Sequence, residues 1–212
     1  MTYNKMDKVY DMLTKVCDGI IEKMFEPADM DVGNIGLFIS RKKNAYGYCY
    51  VAENWKVKDD GVREIGLTPD GLLRGEMGVC TTLAHELVHA YNASHEIKDV
   101  SGQRHNKKFK AGCDKIGLGC ENKGGSIGWG TDPAYNSENC NRLFDCILSA
   151  CLTKEERDLL NHLDTILDVD KPKAKNRNLA VFICPCCGAK ARAKPTANLV
   201  CGDCMMTMEC QE

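Results

Sequence analysis

The chain has 212 residues, of which 43% are hydrophobic, and its formal net charge is −2. This length allows one medium-sized domain with its own core plus a small appendage. The near-neutral charge excludes a strongly basic nucleic-acid-binding protein, although it leaves room for a local basic patch. No apolar run approaches the length of a membrane span, and the N-terminal residues lack the hydrophobic stretch of a secretion signal.

The 14 cysteines are interpreted as metal ligands and free thiols. In a small secreted protein so many cysteines would predict disulfides, but we find no export signal here. We therefore expect the chain to stay in the compartment where it is made, the cytoplasm, including a nucleoid or DNA-associated location.

The N-terminal third predicts one helix followed by a small sheet. The helix spans Lys5–Phe25, and Pro27 ends it. Its apolar stripe consists of Val9, Leu13, Val16, Ile20 and Met24. Three extended segments follow, at Ile35–Arg41, Ala45–Val51 and Val62–Leu67. The edge of such a sheet can hold an extended peptide by strand addition.

The next helix, from about Glu76 to Ser94, carries the residues around which the chain is organised. Apolar residues recur at helical spacing along it, at Leu83, Leu87 and Ala90. His85 and His89 are four residues apart and therefore lie on one face, a turn apart. Two imidazoles in this arrangement can bind one zinc ion, and Glu86 can reach a water on that ion.

This motif predicts hydrolytic chemistry. Zinc lowers the pKa of such a water to about 7, so hydroxide becomes available at neutral pH. Glu86 would take the proton as the water attacks a peptide carbonyl, and would then pass it to the leaving amine. The alternative is a surface helix with two chance histidines, but the apolar flanks favour a metal because a buried imidazole needs a partner.

The third ligand has two main candidates. His95 completes His89-x5-His95, the spacing found in metzincin peptidases, and His105 begins the segment that follows a polar loop. Glu121 or Glu138 is a weaker acidic option. Spacing alone leaves His95 and His105 open.

Further helices are predicted after this loop. One runs from about His105 to Ile116, and residues Glu121–Pro133 read as Gly-rich and irregular. Two more helices follow, at Ser137–Leu152 and Thr153–Leu167. Thr153 and Glu156 have the spacing of a capping box.

The C-terminal segment predicts a second metal site. Its pattern is C-x2-C-x13-C-x2-C, formed by Cys184, Cys187, Cys201 and Cys204. Two such turns aim four thiolates at one point and make a closed, structural zinc site. About thirty residues cannot bury enough surface to fold alone, so the ion supplies the missing folding energy. We thus expect two Zn²⁺ ions, one catalytic and one structural.

Two stretches together, Leu83–Tyr91 and Arg104–Phe109, resemble the SprT-like metallopeptidase family, which includes the Spartan proteases that degrade proteins crosslinked to DNA. The family pattern is HExxHA on a helix, a loop, a His with an aromatic residue four positions on, and commonly a C-terminal zinc ribbon. Asn106 departs from it, since many members have Gly there.

The resemblance implies that His105 is the third ligand and Glu86 the catalytic base. It also implies an α+β fold of the small zincin type, with helices and a small three-stranded sheet. The domains would then be a metallopeptidase domain at 1–167, a basic linker at 168–178 and a four-cysteine zinc ribbon at 179–212.

The expected partners are protein substrates, including DNA-bound or DNA-crosslinked ones, with single-stranded DNA as a further partner and no membrane. DNA contact follows mainly from the resemblance, because basic runs alone also fit a solvated surface. One basic strip consists of Lys171, Lys173, Lys175, Arg177, Lys190, Arg192 and Lys194. A second cluster consists of Arg104, Lys107, Lys108 and Lys110.

Two other functions stay open at this point. One is a non-catalytic DNA-binding adaptor whose zinc ions are structural, and the other is a metzincin-like peptidase that uses His95. Within the peptidase hypothesis, Tyr91 or Arg104 could stabilise the oxyanion.

Overall fold

The structure, a computed structural model, describes residues 3–42, 44–57, 60–163 and 179–211. The chain divides into two compact units, Met1–Val169 and Asp170–Glu212, and it combines helices with small sheets. The predicted linker at 168–178 lies outside the described residues. Within the described ranges, none of the helices has the length and apolar character that crossing a membrane requires.

The secondary structure of the first unit is mixed. Its described helices are α1 (Tyr3–Ile20), α2 (Pro69–Leu72), α3 (Gly75–Ser94), α4 (Lys107–Lys115), α5 (Glu138–Cys151) and α6 (Lys154–Asn161). Its described strands are β1 (Ile35–Ile39), β2 (Gly47–Cys49), β3 (Trp55–Val57), β4 (Asp60–Leu67), β5 (Val100–Ser101), β6 (Arg104–His105), β7 (Cys120–Gly124) and β8 (Gly128–Thr131).

Helix α1 packs through the predicted apolar stripe. All five stripe residues are buried, which confirms the amphipathic pattern. After Ile20 the helix widens into a π-helical turn at Ile21–Phe25 and then tightens into a short 3-10 turn at Glu26–Ala28. The stripe faces α3 and α5, so the N-terminal helix closes one side of the core.

The first sheet has one strand more than the sequence predicts. Its order is β1-β4-β2, with β1 parallel to β4, β2 antiparallel to it, and β3 paired with β4 beyond the end of β2. The extra strand β3 is exposed at all three residues and therefore lacks the alternation that marks a half-buried strand. The order leaves β2 at an edge of the sheet.

Helix α3 is the central element of the unit. It begins at Gly75 and ends at Ser94, as predicted to within a residue, and most of its circumference is buried. A helix that is apolar on most sides belongs in the interior. It packs against β2 and β4 on one side and against α1 and α4 on others, so a residue on α3 has a fixed position relative to both sheet and helices.

A second small sheet replaces the irregular region that the sequence predicts at Glu121–Pro133. Its order is β5-β6-β8-β7, and it also takes in part of the predicted polar loop before His105. These strands are only two to five residues long, and β7 and β8 contain glycine, so no periodic pattern in the sequence predicts them. The sheet matters to the site because β6 ends at His105.

Helices α5 and α6 complete the first unit. The predicted capping box is confirmed, since the Thr153 hydroxyl accepts from the Glu156 amide and the Glu156 carboxylate accepts from the Thr153 amide. Helix α6 ends at Asn161, which is shorter than the predicted helix to Leu167; residues 164–167 lie outside the described ranges.

The second unit is a small ribbon. Its strands are β9 (Ala180–Ile183), β10 (Lys190–Ala193) and β11 (Glu209–Gln211), with β9 in the middle of an antiparallel sheet. The buried apolar side chains are few, mainly Phe182 and Met208 beside Cys184 and Cys201. So small a core leaves the fold dependent on its cysteine cluster.

Candidate metal centre

Three histidine side chains converge in the first unit. Nε2 of His89 lies 3.2 Å from Nε2 of His85 and 3.0 Å from Nε2 of His105. The ligand nitrogens of all three residues lie within 4.8 Å of one another, and this group can hold a metal ion. The structure thus brings together the three imidazoles that the sequence and the resemblance indicate.

Each imidazole has a clear structural origin. His85 and His89 project from one face of α3, a helical turn apart. His105 ends β6, where its amide donates to the Ile127 carbonyl and its residue pairs with Gly128 of β8. A Cβ at Gly128 would lie 2.2 Å from the His105 carbonyl oxygen, so only glycine allows this approach.

Phe109 forms the apolar floor beneath the three rings. Its ring centroid lies 4.6, 4.7 and 4.4 Å from those of His85, His89 and His105, and its side chain is fully buried. Phe109 comes from the first turns of α4, four residues after His105. The aromatic residue of the family pattern therefore packs against all three histidines, which limits how far each ring can turn.

The outer nitrogens of the three rings have different partners. Nδ1 of His89 lies 2.6 Å from Oδ2 of Asp99, and Nδ1 of His85 lies 2.9 Å from the Thr131 hydroxyl. Nδ1 of His105 is buried and bonds to no side chain among the described residues, while the backbone of Trp129 interacts with this ring. A hydrogen bond at Nδ1 leaves Nε2 with the lone pair that a metal needs, so His89 and His85 are oriented as ligands.

Asp99 is itself held in place. Asn92 of α3 donates to its Oδ2 at 2.9 Å, and the Asn106 amide donates to its backbone carbonyl at 2.9 Å. The Asn106 side chain also caps α4 by accepting from the Lys108 amide. Asn106, the departure from the family pattern, thus joins the start of α4 to the segment that carries Asp99.

Burial keeps two of the imidazoles, those of His85 and His105, neutral. Burial lowers the pKa of His85 well below its ordinary value, and the neighbouring imidazoles and Arg74 lower it further. Burial also lowers the pKa of His105, to about 4. Burial alone would raise the pKa of Asp99, but hydrogen bonds from His89 and Asn92 bring it below its usual range. Neutral imidazoles beside an ionised carboxylate suit a cation.

The distances test whether a metal fits. Ligand atoms about 2.0–2.1 Å from a tetrahedral zinc lie about 3.3 Å from one another. The two measured separations, 3.2 and 3.0 Å, are close to this value. Three imidazole nitrogens are a donor set that zinc accepts, and three protein ligands leave a fourth tetrahedral position free.

Glu86 lies beside these ligands, between α3 and the edge strand β2. A Cβ at Gly47 would come within 2.7 Å of Glu86 Oε1 and of Thr82 Cγ2, so the glycine lets β2 approach the helix closely. The carboxylate is buried, and burial raises the pKa of Glu86 to about 7. Such a group can both accept and release a proton near neutral pH.

A cleft opens over the three histidines and Glu86. Its volume is about 1000 Å³, and β2, the end of α3 and the second sheet form its walls. This is ample for several residues of an extended polypeptide.

The other residues that the sequence offers as a third ligand or as an oxyanion-stabilising group lie outside the histidine site. His95 caps α3, with Nδ1 2.9 Å from the Tyr91 carbonyl oxygen, and is not part of the histidine group. Glu121 and Glu138 are not part of it either. Tyr91 packs on His95 rather than in the cleft wall, and Arg104 does not line the cleft.

The ribbon contains the second group. The sulfurs of Cys184, Cys187, Cys201 and Cys204 lie within 4.8 Å of one another and can hold a metal ion. Cys187 and Cys201 are 3.6 Å apart, near the roughly 3.8 Å expected for two thiolates on one tetrahedral zinc. Amide groups of the first turn, that of Cys187 foremost, lower the pKa of Cys184 to about 7.

The two cysteine turns share one backbone design. The Gly188 amide donates to the Cys184 carbonyl, and the Met205 amide donates to the Cys201 carbonyl, at 2.9 and 2.8 Å. Both Gly188 and Met205 have a left-handed backbone, with φ of 72° and 55°. This repetition aims two cysteines from each turn at a common point.

Sequence reasoning missed Asp99, Asn92 and Thr131. Asp99 and Thr131 lie 10 and 46 residues along the chain from the histidines that they contact, and Asn92 acts through Asp99, so nothing local distinguishes these residues from other polar ones. No family model, no curated protein and no solved structure matches the chain.

Removing the Asp99 carboxylate should weaken the histidine site. We expect Asp99→Ala to lower its zinc affinity about 10- to 100-fold, because His89 loses the partner that orients it. Competition titration against a chromophoric chelator measures this directly. Asp70→Asn, an exposed carboxylate on α2, is the control and should leave the affinity unchanged. Equal affinities for the wild type and Asp99→Ala would show that the contact does not support the ligand.

Proposed function

We propose that the protein is a zinc-dependent endopeptidase of the SprT-like type. One observation carries the proposal: three imidazole nitrogens converge in the same cleft as a buried glutamate. A closed structural zinc site has no use for Glu86, which supports the peptidase over a DNA-binding adaptor. The position of His95, outside the histidine group, favours His105 over the metzincin-like alternative.

The edge strand β2 is suited to bind the substrate. The Tyr46 carbonyl accepts from the amide of Thr68, just after β4, and the Tyr50 amide donates to the carbonyl of Glu64, within β4, at 2.9 Å each. Because strand backbone groups alternate, those of Gly47 and Cys49 point away from β4, and both residues line the cleft. An extended polypeptide can therefore pair with β2 and pass directly beside Glu86.

Zinc, when bound, supplies a Lewis acid that makes a water nucleophilic near neutral pH and polarises a carbonyl. The Glu86 carboxylate takes a proton from the attacking water and returns it to the leaving amine. Asp99 and Thr131 keep two of the ligand rings oriented through this exchange. Phe109 keeps water from the underside of the histidines.

The ribbon provides the structural metal site and a basic surface. Lys190 and Arg192 alternate on β10, so both project from the same exposed face, and Lys194 follows them. Near the histidines, Lys107 and Lys108 are exposed on the first turn of α4. These cations support action on DNA-bound or DNA-crosslinked proteins, a part of the proposal that otherwise rests on the resemblance.

Glu86→Gln tests the catalytic role. We expect proteolysis of a disordered protein substrate to fall about 10²- to 10⁴-fold, since the amide cannot accept the proton, while the metal content stays unchanged. The measurement is cleavage on gels and by mass spectrometry, with and without single-stranded DNA.

The outcome separates the candidate functions. If the zinc-loaded wild type cleaves nothing under either condition, the peptidase proposal fails. If it fails to cleave but binds single-stranded DNA with a steep salt dependence, the adaptor takes its place.

Gly47→Ala tests the role of the edge strand. The added methyl group would lie 2.7 Å from Glu86 Oε1, so either the carboxylate or β2 must move. We expect proteolysis to drop at least tenfold, because small displacements of a catalytic group are costly. Zinc binding should persist, because the three atoms nearest the added methyl group belong to Glu86 and Thr82 and not to the imidazoles.

Gly36→Ala is the matched control in the same sheet. Its methyl group would meet the Phe38 ring at 3.0 Å and would not approach Glu86. We expect a modest fall in thermal stability with proteolysis retained. Equal activity of Gly47→Ala and the wild type would contradict the assigned position of β2.

A further inference from the structure

Three cations of the cleft wall are each held against a tyrosine ring. The Arg74 guanidinium lies 4.2 Å from the centre of the Tyr46 ring. Nζ of Lys42 lies 4.8 Å from the ring of Tyr48 and 5.0 Å from that of Tyr50. Nζ of Lys123 lies 4.8 Å from the ring of Tyr135. All three cations line the cleft that contains the histidines.

These cations lie at the two ends of β2. Arg74 stacks on Tyr46, just before the strand, while Lys42 contacts Tyr48 within it and Tyr50 just after it. Lys123 belongs to the Arg74 end, since its ring partner Tyr135 lies in the short turn that Asp132 caps, and Asp132 pairs with Arg74. Four residues of strand separate Tyr46 from Tyr50, or about 13 Å. A polypeptide paired with β2 would therefore pass a positive charge on either side of Glu86.

The cleft holds little negative charge to balance them. Glu86 is the proposed base, and Asp99 is bonded to His89 and Asn92. Asp132 pairs with Arg74 at 3.0 Å, which leaves Glu96, at the end of α3, as the remaining acidic side chain of the cleft wall. Lys42 and Lys123 form no ion pair with any described residue. Their charge is available to a ligand.

The rings favour a polypeptide over a nucleic acid. Single-stranded nucleic acids bind through exposed aromatic faces on which bases stack. Here Tyr48 is buried, and a cation already lies over the exposed ring of Tyr46, over that of Tyr50 and over the ring of Tyr135. The backbone groups of Gly47 and Cys49, by contrast, match those of a polypeptide strand.

We propose that this cleft selects acidic polypeptides, with carboxylate side chains on both sides of the residue that faces the histidines. Lys42 determines the preference at one end of β2, and Lys123 determines it at the other. This inference rests on the proposed function for its reaction, but the charge preference is a property of binding that can be measured alone.

The test uses the zinc-loaded full chain carrying Glu86→Gln, so that bound peptides are not consumed. Three fluorescent peptides share one sequence and differ at two positions, four residues apart, which carry Glu, Gln or Lys. We expect anisotropy titrations to show the Glu peptide binding about fivefold more tightly than the Gln peptide, and the Lys peptide more weakly still. Added salt should reduce the difference.

Charge reversal supplies the decisive comparison. In the same background, Lys42→Glu with Lys123→Glu should invert the order, so that the Lys peptide binds most tightly. Lys115→Glu is the matched control, because Lys115 also lies over a tyrosine, 5.6 Å from the ring centre of Tyr91, but outside the cleft wall. It should leave the order unchanged.

Several results would overturn the inference. Equal binding of the three peptides, or an unchanged order in the double variant, shows that the lysines do not select the ligand. A single-stranded oligonucleotide that binds through Lys42 and Lys123 when the Glu peptide does not assigns the cations to nucleic acid. If the wild type cleaves substrates without a charge preference, the proposed peptidase function holds and this inference fails. If the protein binds acidic peptides selectively but cleaves nothing, this inference holds and the peptidase function fails.

Discussion

The convergence of three imidazoles is the constraint on which the rest of the site depends. Nε2 of His89 lies 3.2 Å from that of His85 and 3.0 Å from that of His105, close to the spacing of two ligand nitrogens on one tetrahedral zinc ion. The frame that enforces it is built from three parts of the fold: one turn of α3, the β6–β8 pairing at Gly128, and the buried ring of Phe109. Asp99 and Thr131 then fix two of the three rings from outside.

The long helices and the cysteine turns could be predicted because their signals are local. The stripe of α1, the extent of α3 and the capping box at Thr153 each follow from a periodicity or a short spacing. The second sheet could not be predicted, since strands such as Val100–Ser101 are too short to show alternation. Strand β3 could not be predicted for a related reason: all of its residues are exposed, so no buried face produces an alternating pattern.

The residues of the candidate site also fall into those that the sequence predicts and those that only the fold reveals. His85, Glu86 and His89 are identifiable because they share one turn, whereas spacing left His105 and His95 open until the fold brought one of them to the others. The cations on the cleft tyrosines could not be foreseen, because contacts such as Arg74 with Tyr46 join distant segments. What the fold adds to the motif is therefore its surroundings: the carboxylate behind His89, the edge strand beside Glu86, and a charged cleft.

Metal content per chain tests the central claim most directly. Elemental analysis of the purified wild type should give two zinc ions per chain, one in the histidine group and one in the cysteine group. His85→Ala and His105→Ala should each give one, and His95→Ala should retain two. A wild type with a single ion, or a His95→Ala variant that loses an ion while His105→Ala keeps both, would contradict the account.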